Sequence, residues 1–255
     1  MILYFSATGN SKYVAERIAA AADDVAVSIE QTDPRLSLSD NEIFGMVFPT
    51  YDYTIPVNAK EFLSRLDLSF SVRPYLFYVA TYGTSSGAAS SMANAILKKK
   101  DLCFDALFDI RMPDTWTPMY DLSDSGKVSQ ILQKADKEID ELIEQIQNRI
   151  TGKHMSLTFP KPVGSIGNYL YEQTRKTRHL HVSDVCIGCG LCEHRCPAKA
   201  ISLKEKKPVW IKDKCIMCLR CLHNCPMFAI YYGNGKNRKH GQYQHPGKSF
   251  DQSVR

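Results

Sequence analysis

Eight of the nine cysteines lie in two near-copies of one twelve-residue string. The first, CIGCGLCEHRCP, begins at Cys186, and the second, CIMCLRCLHNCP, begins at Cys215. Each has the spacing C-x2-C-x2-C-x3-C-P, in which three close cysteines can wrap three corners of an iron–sulfur cube. Because a [4Fe–4S] cube has four irons that each need a thiolate, the two strings supply the ligands of two cubes.

We predict that the two strings exchange their fourth cysteines. The fourth corner of each cube faces away from the three close cysteines, and with this spacing the fourth cysteine ligates the other cube. The first cluster is then bound by Cys186, Cys189, Cys192 and Cys225. The second cluster is bound by Cys215, Cys218, Cys221 and Cys196.

Disulfides and zinc are the alternative uses of these cysteines. Disulfides are rare in the cytoplasm, where we expect this chain to reside. Structural zinc normally takes two C-x2-C pairs, whereas each string here has three close cysteines and a fourth before a proline. The pattern therefore favours paired four-iron clusters. The ninth cysteine, Cys103, is expected to be a small buried hydrophobe within an apolar strand, and His194 and His223 to be surface residues near a cluster.

The segment FSATGNS, residues 5–11, is the second place where chemistry is expected. It lacks the G-K-[ST] order of a Walker loop and has only one of the three glycines of a dinucleotide fingerprint. Its hydroxyl and amide groups, together with the free N–H groups of a helix N-terminus, suit one phosphate monoester. An ordinary helix cap is the alternative. The side chains that offer these groups are those of Ser6, Thr8, Asn10 and Ser11.

Two further loops are expected at the same edge of the fold. The sequences PTYDYTIP (49–56) and TYGTSSG (81–87) each follow a predicted parallel strand, so both should emerge beside the phosphate loop. Their tyrosines can stack on a flat ring, although each tyrosine taken singly also fits surface packing. Three converging loops favour a mononucleotide with an aromatic base.

The elements that must position these loops alternate between apolar runs and helical patterns. Strands are predicted at 1–5, 25–30, 43–49, 75–83 and 103–113, and helices at 10–22, 56–66, 86–100 and 127–150. Continuous apolar strands separated by helices indicate a parallel sheet covered on both faces. We therefore predict an α/β fold, a flavodoxin-like, doubly wound, five-stranded parallel sheet.

Composition divides the chain into four parts. Residues 1–150 form the α/β domain, and 151–180, with several Gly and Pro residues, form a linker that includes a possible connecting helix at 168–179. The cysteine domain occupies 181–232. Residues 233–255 have few apolar side chains, so a largely disordered tail is expected there.

The motifs together resemble a known family. Residues 181–232 resemble a bacterial two-cluster ferredoxin at every cysteine and at both prolines, Pro197 and Pro226, and SATGNS is similar to the phosphate loop of flavodoxin. The chain thus resembles the flavodoxin–ferredoxin fusion family, which implies FMN as cofactor and a small α+β ferredoxin domain. The resemblance implies that the FMN phosphate is bound by Ser6, Thr8, Gly9, Asn10 and Ser11. The resemblance also implies that the isoalloxazine ring is flanked by Pro49, Thr50, Tyr51 and Asp52 on one side and by Thr81, Tyr82 and Gly83 on the other. One departure from the family lies in the first of these loops, where small residues or glycines often follow the tyrosine but this chain has the bulkier sequence Asp52-Tyr53-Thr54.

Charge is distributed unevenly along the chain. The first 150 residues carry 14 Lys and Arg against 21 Asp and Glu, whereas the remaining residues carry 18 against 6. A basic shell suits negatively charged clusters, and no nucleic acid is expected because no base-reading module is visible. No apolar run reaches the roughly 20 residues of a membrane span, and the N-terminus lacks the pattern of a secretory signal. A cytoplasmic chain is therefore expected.

These features predict an electron-transfer iron–sulfur flavoprotein. A redox partner protein would meet the ferredoxin end, and electrons would pass between two clusters and FMN, because a flavin exchanges one or two electrons whereas each cluster exchanges one. No catalytic residue is predicted. Two alternatives stay open: an FMN-dependent reductase of a small substrate, with Trp116 and residues 113–126 lining a cavity, and a flavin-free partner or redox-sensing protein. The identity of the partner and the oligomeric state are not predicted.

Overall fold

A parallel sheet of six strands forms the centre of the N-terminal part of the chain. The computed structural model describes residues 1–39, 42–156 and 161–247, without the side chains of 161–165, 236 and 237. The strands of the sheet are β1 (Ile2–Tyr4), β2 (Ala26–Ser28), β4 (Ile43–Pro49), β6 (Tyr75–Tyr82), β7 (Ala106–Arg111) and β8 (Gly152–His154). Their order is β2-β1-β4-β6-β7-β8, and all neighbours are parallel. The predicted flavodoxin-like α/β architecture is confirmed.

The sheet has one strand more than the five predicted. The additional strand, β8, comes from residues that were expected to belong to a linker. Its sequence, Gly-Lys-His, is polar and its residues are exposed, so no apolar run marks it. The strand lies at the edge of the sheet, where the ring of His154 stacks on that of Phe108 at 5.4 Å. Outside this sheet, β3 (Arg35–Ser37) and β5 (Asp67–Ser69) pair with each other in parallel.

Four helices cover the two faces of the sheet. They are α1 (Asn10–Ala21), α2 (Val57–Arg65), α3 (Ala89–Lys98) and α4 (Ser125–Gln147). One face is packed by α1 and α4 through residues such as Val14, Ile18 and Ile139, and the other by α2 and α3 through Leu63 and Leu97. Because both faces are buried, the central strands are apolar along almost their whole length. This arrangement fixes the strand ends from which the functional loops emerge.

The cysteine segment folds into a small α+β unit. It contains β9 (Leu180–Val182), α6 (Leu191–His194), β10 (Ile201–Lys204), β11 (Lys207–Trp210), α7 (Arg220–His223) and β12 (Ile230–Tyr232). The outer strands β9 and β12 pair antiparallel, and β10 and β11 form an antiparallel hairpin. The short helices α6 and α7 begin after Gly190 and Leu219, which both have left-handed backbone. Before this unit, α5 (Lys161–Thr174) connects the two halves and begins earlier than the connecting helix predicted at 168–179.

The end of the described chain packs on both halves, contrary to the disorder expected for residues 233–255. A 3₁₀ turn spans Lys236–His240, and the side chains of Tyr243 and His245 are then only 6% and 5% exposed. Sequence composition missed this packing because two scattered rings among Gly, Gln and His residues have no helical or strand period. Residues 248–255 of the predicted tail lie outside the described residues.

Two smaller expectations also differ from the structure. Cys103 is exposed and precedes β7 instead of lying buried within a strand. Arg73 donates a hydrogen bond to its carbonyl at 2.9 Å, so this segment serves as a surface connection. His194 is exposed, as expected, but His223 is buried with 1% exposure. Within the described ranges, no helix combines the length and the apolar character needed to span a bilayer.

Candidate functional site

A cleft with about 1080 Å³ of empty space opens at the carboxyl edge of the sheet. The three loops that were predicted to meet there do so. The lining includes every predicted cofactor-binding residue except Gly9, namely Ser6, Thr8, Asn10, Ser11, Pro49, Thr50, Tyr51, Asp52, Thr81, Tyr82 and Gly83. Parallel strands place their following loops at one edge, which is why segments distant in sequence share one cleft.

Gly9 shapes the turn of the predicted phosphate loop, residues 5–11, although it does not line the cleft. Its φ of 106° lies in the left-handed region that glycine adopts without a steric penalty. The turn is held by a 3.1 Å hydrogen bond from the Gly9 N–H to the Ser6 hydroxyl. Helix α1 begins at the next residue, and the first N–H groups of an α-helix have no carbonyl acceptor within the helix. Together with the helix dipole, these groups favour an anion at this position.

The side chains of Asn10 and Ser11 brace the loops. The Asn10 amide donates to the carbonyl of Pro113 at 3.1 Å and accepts a 2.8 Å hydrogen bond from the Tyr243 hydroxyl. The hydroxyls of Ser11 and Thr81 are 2.7 Å apart. These bonds occupy the side chains that were predicted to face a phosphate. The Ser6 and Thr8 hydroxyls and the backbone N–H groups are then the donors that the loop presents to the cleft.

The loop after β4 forms a tight turn that suits its bulkier sequence. Asp52 and Tyr53 both have left-handed φ, 45° and 65°. The turn packs against Gly87, where an added Cβ would lie 2.5 Å from the Tyr53 carbonyl oxygen. Burial raises the pKa of Asp52, and a hydrogen bond from Thr174 lowers it in part. The turn therefore fits beside the cleft because a neighbouring loop supplies a residue without a side chain.

The groups that line the cleft fit FMN. At one end are the hydroxyls and helix N-terminus that suit a phosphate, and further along lie the ring of Tyr51 and the backbone of the strand-end loops. Burial, with a smaller contribution from Cys218, raises the pKa of Tyr51 well above its ordinary value, so this ring stays neutral. The Thr50 hydroxyl is buried without a hydrogen-bond partner among the described residues. Such a group needs a polar partner from a ligand or water.

The loop at 113–126, expected to line a cavity only under the reductase alternative, brings the carboxylate of Asp114 to this cleft. Its side chain accepts hydrogen bonds from the Trp116 N–H at 3.0 Å and from the Thr84 hydroxyl at 3.2 Å. Burial raises its pKa, while the two hydrogen bonds oppose the shift. Trp116 and Met119 of the same loop also line the cleft. Asp114 itself was not singled out in the sequence, although its loop follows β7 and therefore emerges at the same edge as the others.

The cysteines surround two separate cavities in the crossed grouping predicted from the spacing. The first cavity, with about 370 Å³ of empty space, is lined by Cys186, Cys189, Cys192 and Cys225. The second, with about 350 Å³, is lined by Cys196, Cys215, Cys218 and Cys221. The fold thus brings the fourth cysteine of each string beside the three close cysteines of the other.

The surroundings of these sulfurs suit thiolate ligands of a cluster. The fourth cysteine of each string accepts a backbone hydrogen bond on its sulfur. The Ala200 N–H donates to Cys196 Sγ and the Ala229 N–H donates to Cys225 Sγ, both at 3.3 Å. Such bonds are among the factors that set cluster potentials. Burial raises the pKa of the free thiol of Cys218 to about 12, so this sulfur needs a bound cation to persist as thiolate. In the described part of the chain, no three His, Cys, Asp or Glu side chains converge closely enough for a single metal ion.

The second cysteine cavity shares a wall with the cleft. Met217, Cys218 and Leu219 line both spaces. Next along the chain, the guanidinium of Arg220 donates to the Ser6 carbonyl of the phosphate loop at 2.8 Å and forms two bonds with the carboxylate of Glu30. Burial lowers the pKa of Arg220, but Glu30 and Cys218 outweigh it and raise the value overall. The second cysteine string thus holds a permanent cation against the phosphate loop.

The fold and these two kinds of site define a flavodoxin-like domain joined to a cluster-binding domain, the organisation of an electron-transfer iron–sulfur flavoprotein. Comparison with family models agrees: a flavodoxin domain matches residues 1–142, and a 4Fe-4S dicluster domain matches residues 179–240. No curated protein matches the chain significantly. The chain belongs to the flavodoxin family in its N-terminal part and, with its dicluster domain, is a flavodoxin–ferredoxin fusion. The resemblance found in the sequence is confirmed.

Proposed function

We propose that this chain passes electrons between two [4Fe–4S] clusters and one FMN held in the cleft. The observation that carries the proposal is the wall shared by the second cysteine cavity and the cleft, in which Cys218 borders both spaces. A cluster bound by this cysteine would lie directly beside the flavin. Electron transfer inside one chain then needs no encounter between separate proteins.

The two clusters have different positions on this route. Cys189, one of the four cysteines of the first cavity, is exposed, and the side chain of nearby Ile187 is 61% exposed. The four cysteines of the second cavity lie against the flavodoxin-like domain, where Cys218 also lines the cleft. The first cluster is therefore the one that meets an external redox partner, and the second exchanges electrons with the flavin. FMN, when bound, supplies a group that takes up electrons one or two at a time.

The protein contributes the environment of each centre. The phosphate loop binds and orients the nucleotide, with the helix N-terminus opposite the phosphate charge. Tyr51 and Tyr171, whose ring centroids are 6.2 Å apart, exclude water from the wall between cleft and cluster. Tyr171 also donates a 2.6 Å hydrogen bond to the Ile216 carbonyl, which fixes the second cysteine string in position. Hydrogen bonds to cysteine sulfurs adjust the potentials of the clusters.

Cofactor content tests this proposal. Protein purified without oxygen should contain about eight iron, about eight sulfide and about one acid-released FMN per chain, the totals of two four-iron cubes and one nucleotide site. Protein that carries zinc in place of iron would contradict the cluster assignment. Protein that carries iron but neither contains nor takes up FMN would contradict the flavin assignment and would favour the flavin-free alternative.

One observation favours a second function, reduction of a small substrate. The loop after β7 leaves Met119 71% exposed at the cleft, and the adjacent Trp116 and Tyr120 line the same space. An organic molecule could enter between these side chains. Turnover of an added organic acceptor by the reduced protein, abolished when FMN is removed, would establish this activity. Reoxidation of the flavin only by electron-carrier proteins would exclude it in favour of electron transfer.

A further inference from the structure

A buried hydrogen-bond network runs from the phosphate loop to the second cysteine string through the end of the chain. The Tyr243 hydroxyl donates to Asn10 Oδ1 at 2.8 Å, and the Asn10 amide donates to the Pro113 carbonyl at 3.1 Å. The Tyr243 N–H donates to Nδ1 of His223 at 3.1 Å. Nε2 of His223 therefore carries its proton and donates to the Thr115 carbonyl at 2.9 Å. Each donor has a defined acceptor.

Every side chain of this network is shielded from water. Asn10, Tyr243 and His223 are 8%, 6% and 1% exposed. The backbone adds a further link, because the His245 N–H donates to the Thr8 carbonyl at 2.8 Å. Residues 243–245 thus contact the phosphate loop, and none of them lines the cleft. A loop that must present its N–H groups to a phosphate depends on such support, because an unsupported loop has many conformations to lose on binding.

We propose that Tyr243 is a positioning residue for the flavin phosphate, acting through Asn10. This inference rests on the proposed function, since it assumes that the cleft binds FMN. By fixing the Asn10 side chain between Pro113 and the end of the chain, the tyrosine holds the first turn of α1 in the orientation that receives the phosphate. The ring end of the flavin, bound by the other two loops, does not depend on it.

The test compares two flavins that differ only in the phosphate. Cluster-loaded, flavin-depleted protein is titrated with FMN and with riboflavin, and flavin fluorescence gives each Kd. Tyr243→Phe, which removes one hydroxyl and keeps the ring, should weaken FMN binding about fivefold to tenfold, the effect of one buried hydrogen bond, and leave riboflavin binding and iron content unchanged. Tyr231→Phe is the matched control, because this tyrosine faces His181 and does not line the cleft.

A second variant tests the route through Asn10. Asn10→Ala should weaken FMN binding, and adding Tyr243→Phe to it should cause no further loss. Equal weakening of both flavins, unchanged FMN binding in Tyr243→Phe, or additive losses in the double variant would each overturn the inference. A native chain that binds both flavins with equal affinity would overturn it as well. A native chain that binds neither flavin contradicts the proposed function itself, and the inference with it.

Discussion

Arg220 and Glu30 form a two-pronged ion pair between the two halves of the molecule, with nitrogen–oxygen distances of 2.7 and 2.9 Å. Arg220 lies between two cysteines of the second string, and Glu30 follows β2 of the flavodoxin-like sheet. The same guanidinium bonds to the Ser6 carbonyl and lies 5.7 Å above the ring of Phe5. The position of the second cysteine string relative to the cleft is therefore held by directional bonds that only an arginine can make together.

Removal of this arginine should loosen the contact between the two halves. Arg220→Met leaves Glu30 and the Ser6 carbonyl without their donor, at a cost of about 1.5–3 kcal/mol for hydrogen bonds to charged groups. In a domain of this size such a loss lowers the thermal midpoint by several degrees, at about 2–4 °C per kcal/mol. Differential scanning fluorimetry of the cluster-loaded protein measures the change.

Two further variants separate the pair from general damage. Arg35→Met breaks the ion pair between Arg35 and Asp33, whose side chains are exposed by 77% and 56% respectively. Because exposed pairs contribute little, this change should shift the thermal midpoint by about 1 °C or less. Adding Glu30→Gln to Arg220→Met should cost less than the two single changes together. Additive effects would show that the two groups do not act as a pair.

Crossed ligation predicts which pairs of cysteine changes are redundant. Cys196 and Cys215 line the same cavity. The single variants Cys196→Ser and Cys215→Ser, and the double variant that combines them, should therefore each retain one cluster, or about four iron per chain. Combining Cys196→Ser with Cys186→Ser should remove both clusters, because these cysteines border different cavities. Iron analysis after anaerobic purification distinguishes the pairs. Retention of one cluster in the Cys186/Cys196 variant would contradict the crossed grouping.

A bulky side chain in the phosphate loop should expel the flavin and spare the clusters. Thr8 is 4% exposed and lines the cleft, so Thr8→Leu removes a hydroxyl and adds volume where the phosphate is expected. We expect FMN affinity to fall by about tenfold or more, since overpacking typically costs about 1–3 kcal/mol. Thr151→Leu, at an exposed position, is the matched control. Normal flavin content in Thr8→Leu would mean that the phosphate binds elsewhere.

The end of the chain should detach as the pH falls. His245 is stacked on Tyr13 at 4.1 Å, and burial lowers the pKa of His245 to about 4, although the carboxylate of Asp136, which also bonds to Tyr13, opposes the shift. Arg17 also bonds to the Tyr13 hydroxyl. A histidine with a lowered pKa stabilises the packed state above its ordinary value of 6.5, and this contribution is lost progressively as the pH falls from 6.5 toward 4.

Hydrogen exchange at the His245 amide measures the equilibrium between the packed and detached end of the chain, because in the packed state that amide donates to the Thr8 carbonyl. Its protection factor should fall by about tenfold between pH 7 and pH 5. His245→Phe keeps an aromatic ring against Tyr13 and cannot titrate, so its protection should change little over the same range. The same pH dependence in both proteins would assign the effect to another group.

The sequence was most informative where one physical requirement dictated the residues. Cluster chemistry demands cysteines at fixed spacing, and the two cysteine cavities have the grouping that Cys196 and Cys225 were expected to complete. Burial on both faces demands apolar strands, so the parallel sheet and the loops at its edge could be predicted. Strand β8 could not be predicted. Its exposed residues, Gly, Lys and His, join the sheet through backbone pairing with β7, which leaves no apolar pattern in the sequence.

The contacts between distant segments could not be predicted. Nothing local to Tyr243, Asn10 or His223 indicates that they meet. Tyr243 bonds to Asn10 across 233 positions and to His223 across 20, and single buried hydrogen bonds of this kind leave no periodic pattern in the sequence. The side chains of Asn10 and Ser11 illustrate the limit. Their types predict direct phosphate ligands and both residues line the cleft, but their side chains also bond to neighbouring loops. Deciding between these roles requires the positions of partners far along the chain.

The central claim is that electrons pass between the clusters and the flavin within one chain. It is tested by photoreducing the holoprotein anaerobically with a one-electron donor and following flavin absorbance at several protein concentrations. We predict that flavin reduction follows cluster reduction at a rate independent of protein concentration, and that this phase is lost in Cys218→Ser, whose sulfur borders both the cleft and the second cysteine cavity. A rate proportional to protein concentration, or an unchanged rate in Cys218→Ser protein that lacks the second cluster, would contradict the account.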